Sequence, residues 1–308
     1  MDFSGMTISG GVSIVPPVPP AGNKAIFGFG TPGPTSITNL VSNTGVVATD
    51  TAGVGTAKDA LAAAGYGTDK AIFGYGVVVS RVSTTNLVSN TGVVGNDVTG
   101  VGTARNGLAA ASYGTDKAIF GYGSIGGGTN VSITNLVSNT GVVGNDVTGV
   151  GTVRSLLAAA GYGTDKAIFG YGVTSVYVSM TNLVSNTGVV SSDTTGVGTA
   201  RLQLAAAGYG TDKAIFGYGE NSSGTRVSMT NLVSNTGVVA TDTTGVGTAR
   251  FILAAAGYGT DKAIFGYGRT TVEVSMTNLV TNTGVVGTDV TGVGTARNNL
   301  AAASYGYT

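Results

Sequence analysis

The segment YGTDKAIFGYG, residues 66–76, decides the fold of this chain, because it recurs unchanged four more times, starting at Tyr113, Tyr162, Tyr209 and Tyr258. The residues that follow the five copies differ every time: VVVSR, SIGGGTN, VTSVY, ENSSGTR and RTTVE. A fixed segment followed by a changing one predicts a rigid scaffold that carries variable surface loops.

Six copies of one repeat unit fill almost the whole sequence. The lysine of the KAIFG motif stands at Lys24, Lys70, Lys117, Lys166, Lys213 and Lys262, with spacings of 46, 47, 49, 47 and 49 residues. Periods of this length are typical of solenoids and β-propellers. We therefore expect two parts: an N-terminal arm with a Pro-rich spacer over residues 1–22, and a six-repeat domain over residues 23–308.

Each unit contains four strand-length segments separated by turn residues. Gly-Thr-Asp separates LAAAGYG from KAIFGYG, Ser-Asn-Thr-Gly ends VSMTNLV, and Thr-Thr-Gly-Val-Gly ends a short segment that begins with GVV. The alanine run is too short to nucleate a helix before Gly-Tyr-Gly, so we predict a strand there. Four short strands per unit indicate one blade of a β-propeller, with the small residues of LAAAGYG on the innermost strand.

Residues 199–219, TARLQLAAAGYGTDKAIFGYG, resemble a kelch repeat: an arginine, an inner strand of small residues, a turn, and a strand that ends in glycines. The resemblance recurs in all six units and implies an all-β, six-bladed, kelch-like β-propeller of four-stranded antiparallel blades. Two features depart from the kelch pattern, because Gly-Tyr-Gly replaces Gly-Gly and the chain has no Trp.

The phase of the repeat predicts how the ring closes. The first unit begins at KAIFGFG, and the chain ends in LAAASYGYT, so the C-terminal strand is expected to complete the N-terminal blade. The alternative is a linear β-solenoid. Solenoids need atypical capping repeats, whereas the last copy here is as regular as the middle ones.

Composition excludes several functions. The chain has 15 Lys plus Arg, 15 Asp plus Glu, and no His or Cys, so disulfides, thiolate metal sites and histidine-based catalysis are excluded. It also lacks the basic excess of nucleic-acid-binding proteins. No apolar run is long enough to cross a bilayer, and the first 20 residues do not resemble a signal peptide. We expect no cofactor, no metal ion, no nucleic-acid partner and no membrane insertion.

The repeated charges predict a structural network. An aspartate precedes the GVGT turn of every unit, and an arginine or lysine follows it, as in Asp193 and Arg201. These segments lack the calcium-loop pattern, and six equivalent aspartates provide no acid–base pair with separated pKa values for glycan hydrolysis. GVGTAR likewise lacks the Gly-Lys-Ser/Thr of a phosphate-binding loop. We expect hydrogen bonds that join each unit to its neighbour.

Two places vary between the copies: the stretch after KAIFGYG and the two residues after the repeated arginine or lysine. Because strand direction alternates, both are expected on the same face of the domain. The candidate binding residues there are Val78, Arg81, Asn106, Ser124, Asn130, Thr174, Tyr177, Leu202, Gln203, Glu220, Asn221, Arg226, Phe251, Arg269, Thr271, Glu273 and Asn298. The alternative is that surface loops tolerate change, with Val77, Val78, Phe251 and Ile252 partly buried between units.

The near-identical TNLVSNTGVV and DTTGVGTAR copies and the leader MDFSGMTISGGVSI resemble virion proteins of tailed bacteriophages. This resemblance implies a non-enzymatic recognition protein of a phage tail or capsid. It would be anchored to a partner protein by its arm and would bind host-surface glycan or protein in the virion or extracellular setting. Two alternatives stay open: a structural virion protein that contacts other particle proteins, and a glycan-active propeller enzyme.

Overall fold

The computed structural model of the protein describes residues 23–306, and no helix lies in that range. The described chain is all-β and consists of repeated antiparallel sheets in a β-propeller-like arrangement. Each of six sheets contains an inner, a second and a third strand, in that order across the sheet.

The strands fall on the repeated motifs. The inner strands have small side chains and are Ala62–Tyr66, Ala109–Tyr113, Ala158–Tyr162, Ala205–Tyr209, Ala254–Tyr258 and Ala301–Tyr305. The second strands are Lys24–Gly30, Lys70–Gly74, Lys117–Gly121, Lys166–Gly170, Lys213–Gly217 and Lys262–Gly266. The third strands are Thr35–Val41, Thr85–Val88, Thr134–Val137, Thr181–Val184, Thr230–Val233 and Thr277–Val280. We number the sheets 1 to 6 by their second strand.

Sheet 1 joins the two ends of the described chain. Its inner strand is Ala301–Tyr305, which pairs antiparallel with Lys24–Gly30 from Lys24↔Tyr305 to Gly28↔Ala301. In the other five sheets the inner and second strands are consecutive and share one register, for example Ala62↔Gly74 to Tyr66↔Lys70 in sheet 2. The strand that completes the first sheet therefore comes from the last repeat, as the phase of the repeat predicts.

The fourth strand is weaker than the sequence predicts. A regular fourth strand, Val94–Val98, is present in sheet 2. In the other sheets the corresponding segment makes two isolated bridges to the third strand, such as Val137↔Val143 and Thr134↔Val147 in sheet 3. Most of this segment is exposed and glycine-rich, so few side chains pack to support continuous pairing.

Two sets of backbone hydrogen bonds link successive units. In the first set, the donor lies two positions before the start of each inner strand. Its N–H donates to the carbonyl of the equivalent residue in the preceding unit, and Ala60 donates in the same way to Asn299. These residues are Ala60, Gly107, Leu156, Gln203, Ile252 and Asn299, with N···O distances of 2.7–3.2 Å. In the second set, turn glycines donate to the next unit over 2.7–2.9 Å, from Gly67→Asp116 to Gly306→Asp69.

The hydrophobic core lies between successive sheets. Each interface packs the phenylalanine of one second strand against the aromatic residue two positions after the phenylalanine of the preceding second strand, as in Tyr75 and Phe120, whose ring centroids are 5.1 Å apart. A Cβ at Gly74 would lie 2.9 Å from Cζ of Phe120, so glycine is required for the sheets to approach this closely. Burying one such phenylalanine contributes about 2 kcal/mol.

Candidate functional site

The turns at one end of the sheets are nearly the same in every unit, and we call this end the constant face. It consists of the Gly-Thr-Asp turns after the inner strands and the Ser-Asn-Thr-Gly turns after the third strands. The two kinds of turn touch, since Nδ2 of Asn139 donates to Oδ2 of Asp116 over 3.0 Å. Asn23, where the described chain begins, also lies here, because its carbonyl accepts from the turn residue Gly259.

The two variable places meet at the opposite end, which we call the variable face. Leu202, after the repeated arginine, pairs with Glu220, the first residue after KAIFGYG. The same bridge recurs in other units, as in Asn106↔Ser124 and Phe251↔Arg269. The variable segments of one unit are thus adjacent in space, as the alternation of strand direction predicts.

Many variable side chains contact the next unit instead of pointing freely to solvent. Nε of Arg81 donates to Oδ1 of Asn106 over 2.9 Å, and the hydroxyl of Tyr177 donates to Oε1 of Glu220 over 3.3 Å. The side chains that form these contacts differ from one pair of units to the next, although the contacts lie at equivalent positions. Part of the variation therefore concerns the junctions between units, which agrees with the alternative interpretation of the variable segments.

Three further junctions follow the same pattern. The guanidinium of Arg226 lies 4.7 Å from the ring centroid of Phe251, and its buried Nε has no hydrogen-bond partner within residues 23–306. Nδ2 of Asn130 donates to the carbonyl of Val173 over 3.2 Å. Nδ2 of Asn298 donates to Oε1 of Glu273 over 3.1 Å.

Exposure divides the candidate residues into three groups. Leu202 and Asn298 are buried, so the expectation that they are displayed on the surface is wrong: Leu202 lies in the strand pair described above, and Asn298 bonds to Thr31 and Glu273. Arg269 and Thr271 are exposed. Partly exposed are Val78, Arg81, Asn106, Ser124, Asn130, Thr174, Tyr177, Gln203, Glu220, Asn221, Arg226, Phe251 and Glu273.

The loop tips of the variable face expose apolar side chains that the sequence alone did not single out. Val79, Val176 and Val272 have exposed fractions of 98%, 63% and 61%. Val79 is the third residue after KAIFGYG in sheet 2, and Val176 and Val272 are the fourth in sheets 4 and 6. Solvent-facing valines on loops of a rigid scaffold are suitable contacts for a partner surface.

Each face has a cavity lined by inner-strand ends or by the residues before them. The cavity of the variable face has a volume of about 80 Å³ and is lined by the six residues of the first hydrogen-bond set and the leucine that follows each of them. The constant-face cavity, of about 170 Å³, is lined by repeated Tyr, Thr, Gly and Lys residues. Its lysines are paired with aspartates of their own turns, as in Lys166 and Asp165 at 2.9 Å.

The repeated charges form the network that the sequence pattern predicts. Asp146 accepts hydrogen bonds from the N–H and hydroxyl of Thr103 in the preceding unit, and from Nδ2 of Asn135. Burial acts to raise the pKa of Asp146, but these hydrogen bonds and the charge of Arg105 hold it below its ordinary value. An ionised carboxylate with its oxygens already bonded is a poor candidate for a catalytic acid.

The repeated arginines are fully buried beside these aspartates. Arg105 donates to the carbonyl of Tyr122, the carbonyl of Thr103 and Oδ1 of Asn135. Its guanidinium also lies 4.4 Å from the ring centroid of Tyr75 in the preceding sheet. This side chain therefore connects two sheets and is not available to a ligand.

The junction between sheets 1 and 2 differs from the others. Lys58 replaces the arginine, and Phe29 replaces the tyrosine beneath it. Nζ of Lys58 donates to Oδ1 of Asn86 over 2.7 Å and lies 5.3 Å from the ring centroid of Phe29. Burial lowers the pKa of Lys58 to about 8, although the charge of Asp97 acts to raise it.

No protein-family model matches the chain, and no curated protein sequence matches it. Within residues 23–306, no group of three or more Asp and Glu side chains is placed to hold a metal ion. The same residues include no helix that is long and apolar enough to span a membrane. We therefore infer function from the geometry of the two faces.

Proposed function

We propose that this chain is a closed, six-bladed, kelch-like β-propeller and that it acts as a non-enzymatic recognition protein. The pairing of Lys24–Gly30 with Ala301–Tyr305 supports closure. So does the hydrogen bond from Ala60 to Asn299, which links the first and last residues of a six-membered set. In this proposal each of the six sheets is one blade.

The observation that carries the recognition function is the difference between the two faces. The constant face repeats the same turn after all six third strands and after five of the six inner strands, while the variable face brings together the segments that differ. Binding surfaces of rigid β scaffolds are commonly built from loops at one end. The ligand class we propose is a host-cell surface glycan or protein, with the chain as part of a phage tail or capsid.

The position of Asn23 supports this orientation. Asn23 lies on the constant face, so the segment that precedes it joins the domain at the end opposite the variable loops. An anchor attached there would leave the variable face directed away from the particle. The assignment of residues 1–22 as that anchor concerns a segment outside the described residues and stays a prediction.

A second candidate function is assembly with other virion proteins. It is favoured by a valine that is exposed in all six units at the turn after the third strand, on the constant face. These residues are Val46, Val93, Val142, Val189, Val238 and Val285, with exposed fractions of 61–67%. An exposed apolar residue retained in every unit is a suitable contact for a repeated partner surface.

One pair of matched variants separates the two candidates. The first replaces Val79, Val176 and Val272 on the variable face by serine, and the second makes the same change at Val93, Val189 and Val285 on the constant face. The exposed fractions are 61–98% and 61–64%, so neither variant is expected to disturb the core.

The measurement is adsorption of the purified protein to host cells, with thermal unfolding as the test of folding. If the recognition proposal is correct, the variable-face variant loses adsorption and the constant-face variant keeps it. If adsorption survives the first change and is lost after the second, or if the wild type binds only particle proteins, the recognition proposal is wrong.

A further inference from the structure

The six residues that line the variable-face cavity before the leucines have an unusual backbone conformation. Their φ angles lie between +50° and +58° in Ala60, Gly107, Leu156, Gln203, Ile252 and Asn299. Glycine adopts this left-handed conformation without strain, whereas a β-branched residue such as Ile252 rarely does. Yet glycine occupies only one of the six positions.

Other residues with positive φ have a visible structural reason for their side chains. Tyr122, at +63°, packs against Phe169 and donates its hydroxyl to the carbonyl of Val150 over 3.0 Å. Thr164, at +69°, donates to the carbonyl of Gly163. Both residue types recur in nearly every unit, as expected when a side chain is needed for folding.

The cavity residues do not follow that pattern. The six positions hold five different side chains besides the glycine, and the side-chain carboxamides of Gln203 and Asn299 make no hydrogen bond to any residue between 23 and 306. Both residues are partly exposed, so their carboxamides are free to bond to a ligand. Gly107 makes the same backbone hydrogen bond between units as the other five residues. That bond therefore gives no reason to keep strained side chains at the other five positions, and strain of this kind is a sign of function.

The chemistry of the cavity is divided between apolar and amide groups. In the order of the hydrogen-bond set, Leu156 precedes Gln203, which precedes Ile252, which precedes Asn299. An added Cβ at Gly107 would lie 3.0 Å from Cδ2 of Leu156, so the leucine side chain reaches over this glycine. Buried leucines complete the lining of a space of about 80 Å³, which admits a group of a few heavy atoms but not a whole sugar ring.

We infer that this cavity binds the acetamido group of an N-acetylated sugar. The methyl group would pack against Leu156 and Ile252, and the amide N–H and C=O would bond to the carboxamides of Gln203 and Asn299. An acetamido group offers a methyl group to the apolar side chains and an amide to the carboxamides, whereas a hydroxyl or an ammonium group in its place would leave the apolar side chains without a partner. This inference rests on the proposed recognition function and names its ligand class.

The test compares two soluble probes by calorimetry: the trisaccharide of N-acetylglucosamine and the fully deacetylated trisaccharide. The wild type is expected to bind the acetylated probe at least about 10-fold more tightly. Gln203→Gly and Asn299→Gly should each weaken that binding about 10-fold, because a hydrogen-bonding group is lost. Both changes should also raise the midpoint of thermal unfolding by about 1–3 °C, because glycine relieves the positive φ.

Thr164→Gly is the matched control, since it relieves a positive φ on the constant face. It should leave the affinity for the acetylated probe unchanged. The inference is overturned if the wild type fails to distinguish the probes, or if Gln203→Gly and Asn299→Gly cause no loss of affinity. Cell adsorption that survives those two changes but is lost in the Val79, Val176 and Val272 variant would reject this inference and retain the recognition function.

Discussion

The effect of Lys58→Arg can be worked out from the structure, because the other five junctions contain arginine at this position and show the contacts that it makes. An arginine here would have the carbonyls of Tyr75 and Thr56 and Oδ1 of Asn86 as acceptors, by correspondence with Arg105. Lys58 makes one short hydrogen bond, to Asn86, and one long one of 3.4 Å, to the carbonyl of Thr84.

The expected gain follows from these contacts. About two additional hydrogen bonds at about 1 kcal/mol each predict a free energy of unfolding that is higher by about 2 kcal/mol near pH 7. The guanidinium should also lie closer to the ring of Phe29 than the present 5.3 Å, since the other junctions show 4.3–4.5 Å.

The effect of pH has a definite sign. The pKa of Lys58 is about 8 in the folded state against an ordinary value of 10.5, so between these values the unfolded chain binds more protons than the folded chain. The free energy of unfolding of the wild type therefore gains from this group as pH rises through that window, by about 3 kcal/mol in all. Below pH 8 the cost of burying the charged lysine is fully present.

Urea unfolding of the wild type and of Lys58→Arg between pH 7 and pH 10 measures both effects. Because Arg remains protonated throughout, the stability advantage of Lys58→Arg should shrink above pH 8 and should vanish or reverse as the pH approaches 10. Comparing the two proteins at each pH removes the contributions of the tyrosines, which they share. A difference that stays constant from pH 7 to pH 10 would refute the account of Lys58, and so would a variant less stable than the wild type at pH 7.

Three further predictions concern the junctions and the first sheet. Asp193→Asn should lower the free energy of unfolding at pH 7 by about 1–2 kcal/mol through weaker bonds to Thr152. Because the pKa of Asp193 is below its ordinary value, this loss should be smaller at pH 3 than at pH 7, and urea unfolding at both pH values checks this. Tyr122→Phe should cost about 1 kcal/mol by removing the bond to the Val150 carbonyl, a value that thermal unfolding can test and that a silent substitution would contradict. Removing residues 301–308 should abolish cooperative unfolding, because Lys24–Gly30 loses its inner partner; a cooperative transition in the shortened protein would show that this pairing is dispensable.

The positions of the three regular strands and of the two faces could be predicted from the sequence. The reason is that turn residues interrupt every unit at the same places, and antiparallel order then fixes which loops share an end. The fourth strand is overestimated from the sequence because GVV has high strand propensity. In the folded chain it lies at an exposed edge beside Gly-rich residues, where packing adds little.

The surroundings of single variable residues could not be predicted in the same way. Arg81 and Asn106 are 25 residues apart, and only the packing of neighbouring sheets shows that they bond to each other. Likewise, Leu202 and Asn298 belong to a variable segment by sequence, yet their pairing with neighbouring segments buries them. The positive φ of Ile252 has no sequence signal, since isoleucine is among the residues least suited to it.

The pairing of Lys24–Gly30 with Ala301–Tyr305 also has a consequence for biosynthesis. During translation, sheets 2 to 6 can each form from strands that are synthesised close together in time. In sheet 1, by contrast, Lys24–Gly30 cannot pair with its inner strand until Ala301–Tyr305 has been synthesised. Until then the unpaired edge of Lys24–Gly30 can pair with the inner strand of another unit, because all the inner strands have nearly the same sequence. The order of synthesis thus makes the first sheet the last to be completed, and the step most exposed to pairing between different nascent chains.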